Sequence, residues 1–233
     1  MATIMPIESG HPDPLALVGL LQLVSPALPI GAFAWSQGLE SAFELGWVGD
    51  EKSLETWVHG VLDDGLMHCD LPVLARAMRA WAAGDSAALT YWNDWLLANR
   101  ETRELLEEEE RLGAALVRLL DNLALLPSAP RPPESPGYVV MFGLAAWRRD
   151  IDERSALLGF AWAWLENQLA VACKALPLGQ TAAQRIIERM RPALTRAVET
   201  ALTLPDDELG PALPGLALAS ALHETQYSRL FRS

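Results

Sequence analysis

The segment Glu153–Ala175, ERSALLGFAWAWLENQLAVACKA, decides the fold that the sequence predicts. Its apolar residues are spread around the circumference of a helix, and a helix that is apolar all round belongs in the centre of a protein. Its charge-free run, Ser155–Leu165, is eleven residues long, well short of the ~20 that span a bilayer. The segment therefore predicts a long helix of a globular protein and not a membrane span, and some of the predicted helices of this apolar kind must be central.

The rest of the chain, read outward from this segment, also has helical periodicity. Apolar residues recur every three to four positions, and no segment alternates convincingly as a strand would. We predict an all-α, single-domain bundle of about nine or ten helices over residues 1–233. The predicted helices are Leu15 to about Val24, Ser36 to about Gly46, Asp50–Met67, Asp70–Ala83, 86–97, Arg100–Leu123, Tyr138–Arg148, Glu153–Ala175, Thr181–Leu204 and Leu216–Thr225.

Local signals place several helix ends. Asp13-Pro14 is a capping residue followed by proline at the first helical position, and Asp70-Leu-Pro has the same form. The first helix should bury a stripe formed by Leu17, Leu20, Leu21 and Val24. Half of the residues in 127–136 (PSAPRPPESP) are proline, which excludes a helix there. We interpret this stretch as a surface loop inside one domain.

Composition limits the class of protein. The net charge of −12 is unfavourable for sequence-independent nucleic-acid binding, which needs a basic surface. The two cysteines, Cys69 and Cys173, are 104 residues apart and form no CxxC pair, which favours reduced thiols in a cytosol. The first residues, MATIMPIESGHPDP, lack the basic-then-apolar pattern of a secretory signal. We expect a cytoplasmic protein with no membrane association.

The sequence offers no strong catalytic or metal-binding pattern. It contains no GxSxG elbow, no GxxxxGK[ST] phosphate loop and no GxGxxG motif. His59, His68 and Cys69 are the best metal candidates, but adjacent helical side chains diverge by about 100° and rarely share an ion. We predict no catalytic residue, no metal ligand and no tightly bound cofactor, and interpret Cys69 as buried and Asp70 as a helix cap.

An acidic helix and a basic helix form a second pattern. Glu107 to Glu110 are consecutive acids within Glu101–Leu120, and Glu107–Arg111 has the favourable i,i+4 spacing. This helix presents either a solvated face or an acidic docking surface. The Thr181–Leu204 helix carries basic residues that could pair with this acidic helix, either within the fold or in a second subunit. They are Arg185, Arg189, Arg191 and Arg196.

The proline- and glycine-containing loop that follows the first helix is a candidate interaction site. Prolines fix the backbone and lower the entropy lost on ordering, and glycines allow close backbone approach. The loop is either a rigid connector tucked into the core or a surface that faces a dimer mate or partner. Its candidate residues are Pro26, Pro29, Gly31, Phe33, Trp35 and Gln37.

The C-terminal tail is the stronger candidate. Tyr227–Ser233 combines apolar anchors with arginines, residue types that are enriched at interface hot spots. Because the tail follows the proline-interrupted loop Pro205–Pro214, we expect it to move as a unit; the alternative is a last turn packed on its own domain. The predicted partner-binding residues are His223, Glu224, Gln226, Tyr227, Arg229, Leu230, Phe231 and Arg232.

Four segments together resemble the urease accessory protein F (UreF) family. They are LLQLVSPALPIGAFAWSQGLE at 20–40, ETRELLEEEERLG at 101–113, PLGQTAAQ at 177–184 and the tail at 223–233. The resemblance runs through essentially the whole chain, and its first and last segments are the most specific.

The resemblance implies a non-enzymatic urease maturation factor. It implies a homodimer that binds the UreD-type (also called UreH) accessory protein and recruits and regulates the GTPase UreG, which delivers nickel to the urease apoprotein. Nickel is then the cargo of the complex. Two alternatives stay open: a GTPase-activating protein that uses an arginine finger on UreG, and a nickel-binding protein that uses His59, His68 and Cys69.

Overall fold

A computed structural model describes residues 13–232 of the 233-residue chain. This part of the chain contains ten α-helices and no strand, which confirms the predicted all-α class and helix number. The helices are α1 (Pro14–Leu23), α2 (Leu39–Glu44), α3 (Glu51–Val61), α4 (Asp70–Ala83), α5 (Ser86–Ala98), α6 (Arg103–Asn122), α7 (Tyr138–Trp147), α8 (Glu153–Ala175), α9 (Gln180–Thr203) and α10 (Pro214–His223). None of them combines the length and the apolar character needed to cross a bilayer.

Helix α7 is the centre of the bundle. Its residues 139–146 are all buried, and α4 and α6 pack along it. The indole nitrogen of Trp81 on α4 donates to the carbonyl oxygen of Val140 at 3.0 Å. Gly113 lets α6 approach closely, because an added Cβ would lie 1.8 Å from the carbonyl oxygen of Pro136. Helix α8, whose bounds match the predicted long helix Glu153–Ala175, packs on α9 and α2 and buries about half of its residues.

Several helix ends were predicted correctly because their signals are local. Asp50 forms a capping box with Ser53, accepting from the Ser53 amide at 2.8 Å. Gly84 ends α4 in the left-handed region at φ 67°, and Asp85 caps α5 by accepting from the Ala88 amide at 3.0 Å. Helix α2 begins at Leu39, three residues after the predicted Ser36, although Ser36 Oγ still accepts from the amide of Glu40 at 3.3 Å.

Two predictions near helix starts were wrong. The first helix does not bury the stripe of Leu17, Leu20, Leu21 and Val24: Leu17 and Leu21 are 44% and 60% exposed. Helix α1 is apolar nearly all round, so periodicity could not decide which face packs. Asp70 does not cap α4, whose cap position is Cys69; its carboxylate instead lies 2.6 Å from Nη2 of Arg100.

The proline-rich stretch at 127–136 forms no helix, as predicted, and it packs against α5. The side chain of Asn93 on α5 makes two hydrogen bonds to the end of this stretch. Its Nδ2 donates to the carbonyl oxygen of Ser135 at 3.0 Å, and its Oδ1 accepts from the amide of Gly137 at 2.8 Å. These two hydrogen bonds place the start of α7 against α5 and α6.

Candidate functional site

The C-terminal tail lies across α2 and α6 and does not extend freely from the bundle. His223, the last residue of α10, is fully buried between two carboxylates. Its Nε2 lies 3.2 Å from an oxygen of Glu40 on α2, and its Nδ1 lies 2.8 Å from an oxygen of Glu104 on α6. A buried charge is tolerated only where it is paired and hydrogen-bonded. The imidazole therefore joins α2, α6 and α10 at the point where the tail begins.

Glu40 also binds the end of the tail. One of its carboxylate oxygens accepts from the backbone amide of Leu230 at 2.7 Å, and the other from that of Phe231 at 2.9 Å. The side chain of Gln226 donates to the first oxygen at 3.4 Å. Hydrogen bonds to a charged group are roughly twice as strong as neutral ones. Glu40 is thus the anchor of the tail, a role that the sequence did not reveal.

Phe231 and the tail arginines complete this attachment. Phe231 is only 8% exposed, and the ammonium of Lys174 on α8 lies 4.6 Å from its ring centroid. Arg229 donates to Glu104 at 2.8 Å, and the amide of Arg232 donates to the carbonyl oxygen of Ala34 at 2.8 Å. The structure therefore matches the alternative that the sequence left open, a tail packed on its own domain. A proline-interrupted loop precedes the tail but does not prevent it from docking.

Other predicted tail residues face outward. Tyr227 is fully exposed, and Leu230 is 56% exposed although its amide is bound. Leu218 and Leu222 on the neighbouring α10 are also exposed. Glu224 is partly buried and lies 3.3 Å from Arg103. The exposed side chains Leu218, Leu222, Tyr227 and Leu230, which we call the tail surface, give the docked tail an apolar outer face.

The proline- and glycine-containing loop meets the same tail. Gly38 has φ 76° and approaches α10 so closely that an added Cβ would lie 3.1 Å from the Ser220 amide nitrogen. The ring of Trp35 is buried, and the guanidinium of Arg232 lies 5.9 Å from its centroid. The loop's other candidate residues divide between solvent and the interior: Pro26, Pro29 and Gly31 are exposed, whereas Phe33 and Gln37 are partly buried. The two segments that the sequence singled out, near opposite ends of the chain, therefore form one site.

The acidic helix, α6, is neither a fully solvated face nor an acidic docking surface, the two interpretations that the sequence allowed. Glu107 pairs with Arg111 at 3.0 Å on the surface, as its spacing predicts. Glu104, Glu108 and Glu109, however, are buried, so they form neither a solvated face nor an acidic docking surface. Four consecutive acids point to both faces of a helix. The two that point inward, Glu108 and Glu109, bind Gln37 and Arg100 from other segments.

Those partners form a buried polar cluster beneath the loop. Nη2 of Arg100 lies 2.6 Å from both Asp70 and Glu109, while Gln37 Nε2 donates to Glu108 at 2.9 Å. Burial lowers the pKa of Arg100, but the two carboxylates more than reverse this and hold it charged. Burial raises the pKa of Glu108 to about 8, and the hydrogen bond from Gln37 only partly offsets it. Glu108 is therefore a largely neutral acid at pH 7.

Within residues 13–232, the arginines of α9 form ion pairs with acidic residues other than those of α6. Arg185 and Arg189 both bind Glu51 of α3, at 2.6 and 2.8 Å. The hydrogen bonds from Arg185 and then Arg189 hold the pKa of Glu51 at about 2. Arg191 lies 2.8 Å from Glu188 of its own helix, and Arg196 lies 3.3 Å from Asp63. The pairs of Arg185 and Arg189 join α9 to α3, and all of these exposed pairs contribute little to stability.

The metal candidates are not brought together. His68 Nδ1 lies 2.8 Å from the carbonyl oxygen of Asp63, and Cys69 is buried, as predicted. Burial raises the pKa of the Cys69 thiol, which disfavours the thiolate that a metal would need. Within residues 13–232, no three His, Cys, Asp or Glu side chains are grouped so that they could hold a metal ion. His11 lies outside the described residues.

The fold and the site define a class of protein: an all-helical bundle whose most elaborate feature is a docked tail with an apolar outer face. Comparison with known proteins gives the particular family. Residues 48–191 match the UreF family model. The chain is 75% identical over 221 residues to the urease accessory protein UreF of Chromohalobacter salexigens, covering 95% of this chain and 96% of that protein.

Further relatives agree over the full length. The chain is 66% identical over 233 residues to the urease accessory protein UreF of Marinobacter nauticus, covering 100% of both chains. It is 65% identical over 230 residues to the one from Pseudoalteromonas translucida, covering 97% of this chain and 98% of that protein. The chain belongs to the UreF family of urease accessory proteins, which assigns it a role in urease maturation.

Proposed function

We propose that this chain is a non-enzymatic scaffold that binds the UreD-type accessory protein through its tail surface. The observation that carries the proposal is the division of the tail between two roles. Phe231 and the backbone amides hold the segment to the bundle, and this leaves Tyr227 and Leu230 facing solvent. Exposed aromatic and aliphatic side chains on an ordered backbone lose little entropy when a partner covers them, which is typical of interface anchors.

The GTPase UreG is the second partner in this proposal, recruited by the complex to deliver nickel to the urease apoprotein. Nickel is cargo and not a resident cofactor of the chain.

We also propose that two copies of the chain associate through α1. Leu15, Leu17, Val18 and Leu21 are all exposed on this ten-residue helix. A second copy that presents the same face would cover this surface by two-fold symmetry, the commonest arrangement of soluble oligomers. Sedimentation tests it: Leu21→Arg should convert a dimer to a monomer, while Leu123→Arg, a matched change at an exposed leucine of the α6 end, should leave the dimer intact. A wild-type monomer across the micromolar range would contradict the proposal.

Co-purification tests the scaffold role. The chain should retain both the UreD-type protein and UreG, and deletion of residues 227–233 should lose both. Thermal melts of each form alone separate loss of binding from loss of folding. Retention of both partners by a folded, truncated chain would overturn the proposal.

A further inference from the structure

A cavity of about 120 Å³ lies beneath the loop that follows α1. Loop residues from Val24 to Gln37 line one side of it, and residues of α3, α6, α7, α8 and the segment 211–216 line the rest, together with Asp70 and Arg100. Glu108 of α6 faces this cavity, as does Asn167 of α8, whose buried side-chain oxygen has no hydrogen-bond partner. Buried polar atoms without partners are uncommon and call for an explanation. Here the oxygen without a partner belongs to a residue that lines a cavity formed in part by the loop.

Gln37 holds this loop closed. It has φ 54°, in the left-handed region, and its side chain reaches three residues of two helices. Its Nε2 donates to Glu108 at 2.9 Å, and its Oε1 accepts from Trp164 at 3.0 Å and Gln168 at 3.3 Å. The next fixed point is Trp35, whose carbonyl oxygen accepts from Asn167 at 3.0 Å. Both links break if the loop lifts from the cavity.

The same short segment anchors the tail. Arg232 binds the carbonyl oxygen of Ala34 through its amide and stands over the ring of Trp35, and Glu40 holds the amides of Leu230 and Phe231. Residues 34–40 are therefore bonded to the cavity wall on one side and to the tail on the other. Lifting the loop removes contacts from the tail in the same movement.

We propose that residues 25–38 form a proton-linked clasp: opening it releases the proton of Glu108 to solvent and loosens the docked tail. Closed, Glu108 is buried near Asp70 of α4, Glu109 of α6 and the hydroxyl of Tyr138 on α7, and among the described residues Arg100 is the cation that acts on it. From the loop, Gln37 donates to Glu108; Glu101 and the uncharged Trp164 and Asn167 of α8 line the same cavity. These surroundings keep the acid protonated while the clasp is closed, and water would restore an ordinary carboxylate once it opens.

The linkage has a defined sign. Between pH 4.5 and about 8, Glu108 keeps its proton in the closed state and loses it in the open state. The equilibrium constant for opening therefore rises about tenfold per pH unit, until the closed state also ionises. The tail should therefore be docked tightly in mildly acidic solution and more loosely near pH 8. This regulation concerns the free chain and does not require the partners proposed above.

Hydrogen exchange at the amide of Arg232, which donates to the carbonyl oxygen of Ala34 within residues 25–38, tests the clasp in the isolated full-length protein. Protection factors, which correct for the intrinsic pH dependence of exchange, are compared between wild type and Glu108→Gln from pH 6 to 8. We expect the ratio of mutant to wild-type protection to rise by about tenfold per pH unit and to level off above pH 8. Glu110→Gln, a neighbouring change outside the buried cluster, should behave as wild type.

Two variants of Glu108 separate the loss of its ionisation from other effects of the substitution. Glutamine has the size of Glu108 and retains the oxygen that Gln37 binds, and Glu108→Leu provides a second variant that cannot ionise. Both variants keep His223 and its two carboxylate partners, so any pH dependence that these bring is present throughout. A protection ratio that stays constant with pH, in both variants, would overturn the clasp. Such a result would leave the proposed partner interface untouched.

Discussion

Glu40 and Phe231, 191 positions apart in the chain, are joined by a 2.9 Å hydrogen bond from the Phe231 amide to the Glu40 carboxylate. Both groups are buried, and the second Glu40 oxygen holds the adjacent amide of Leu230. This single carboxylate converts a short C-terminal tail into an ordered surface. The family's two most specific segments therefore meet at one side chain.

Glu40→Gln should loosen the tail while preserving the bundle. The change removes the charge and turns one acceptor into a donor that faces the amides of Leu230 and Phe231. We expect a loss of about 2–3 kcal/mol in tail docking, as for hydrogen bonds to a charged group. Hydrogen exchange of the two amides measures it, with Glu44→Gln at the exposed end of the same helix as control. Unchanged protection in Glu40→Gln would contradict the anchoring role.

Glu108→Gln should change how stability depends on pH. In the unfolded chain Glu108 ionises near 4.5, but in the folded chain its pKa is about 8. Between these values the unfolded state binds fewer protons, so wild-type stability falls as pH rises, by up to about 1.4 kcal/mol per unit. The variant lacks this loss and should gain stability relative to wild type from pH 5 to 8. Urea denaturation at several pH values measures the difference, and parallel curves would show that Glu108 ionises normally in the fold.

Arg100→Met should destabilise the protein strongly. Removing one member of a buried ion pair costs about 3–5 kcal/mol, because the carboxylates left behind stay buried without a counter-charge. Here the two stranded groups are Asp70 and Glu109. Arg111→Met, which breaks only the exposed pair with Glu107, should cost under about 1 kcal/mol. Equal effects of the two substitutions in chemical denaturation would disprove the buried cluster.

Gly113→Ala tests the packing of α6 against the start of α7. The new Cβ would lie 1.8 Å from the Pro136 carbonyl oxygen, which belongs to backbone and cannot rotate away. We expect a loss of at least about 1–3 kcal/mol, as in other overpacked cores. Gly60→Ala on α3 has nothing within 4 Å of the new Cβ and should gain roughly 0.5–1 kcal/mol from helix propensity. Melting temperatures that shift together in the same direction would contradict this difference.

The sequence predicted the features that depend on neighbouring residues. The bounds of α4 at Asp70–Ala83 and of α8 at Glu153–Ala175 were predicted from signals within a few residues. Burial of Glu108 and Glu109 could not be predicted, because it depends on Arg100, Gln37 and Asp70, which only the fold brings together. The wrong stripe on α1 has a similar cause: an almost uniformly apolar helix has no preferred face until its neighbours are known.

The tail was predicted as a site and its packing on its own domain was the alternative, but its attachment to Glu40 was not predicted. Its arginines and aromatic residues identified it as an interaction segment, whereas its binding partner inside the chain, Glu40, lies on α2 among residues that look like an ordinary helix start. The local pattern carries no sign of a contact over such a separation. The distinction between the buried Phe231 and the exposed Tyr227 likewise appears only in the folded chain.

In the proposed function, the exposed side of the docked tail binds the UreD-type accessory protein. A calorimetric titration of that protein with wild type, Tyr227→Ala and Tyr91→Ala tests it most directly. Both tyrosines are well exposed, but Tyr91 lies on α5, away from the tail. We expect Tyr227→Ala to weaken binding by about 2 kcal/mol or more, as for an interface anchor, and Tyr91→Ala to leave it unchanged. Equal affinity of all three proteins would contradict the claim.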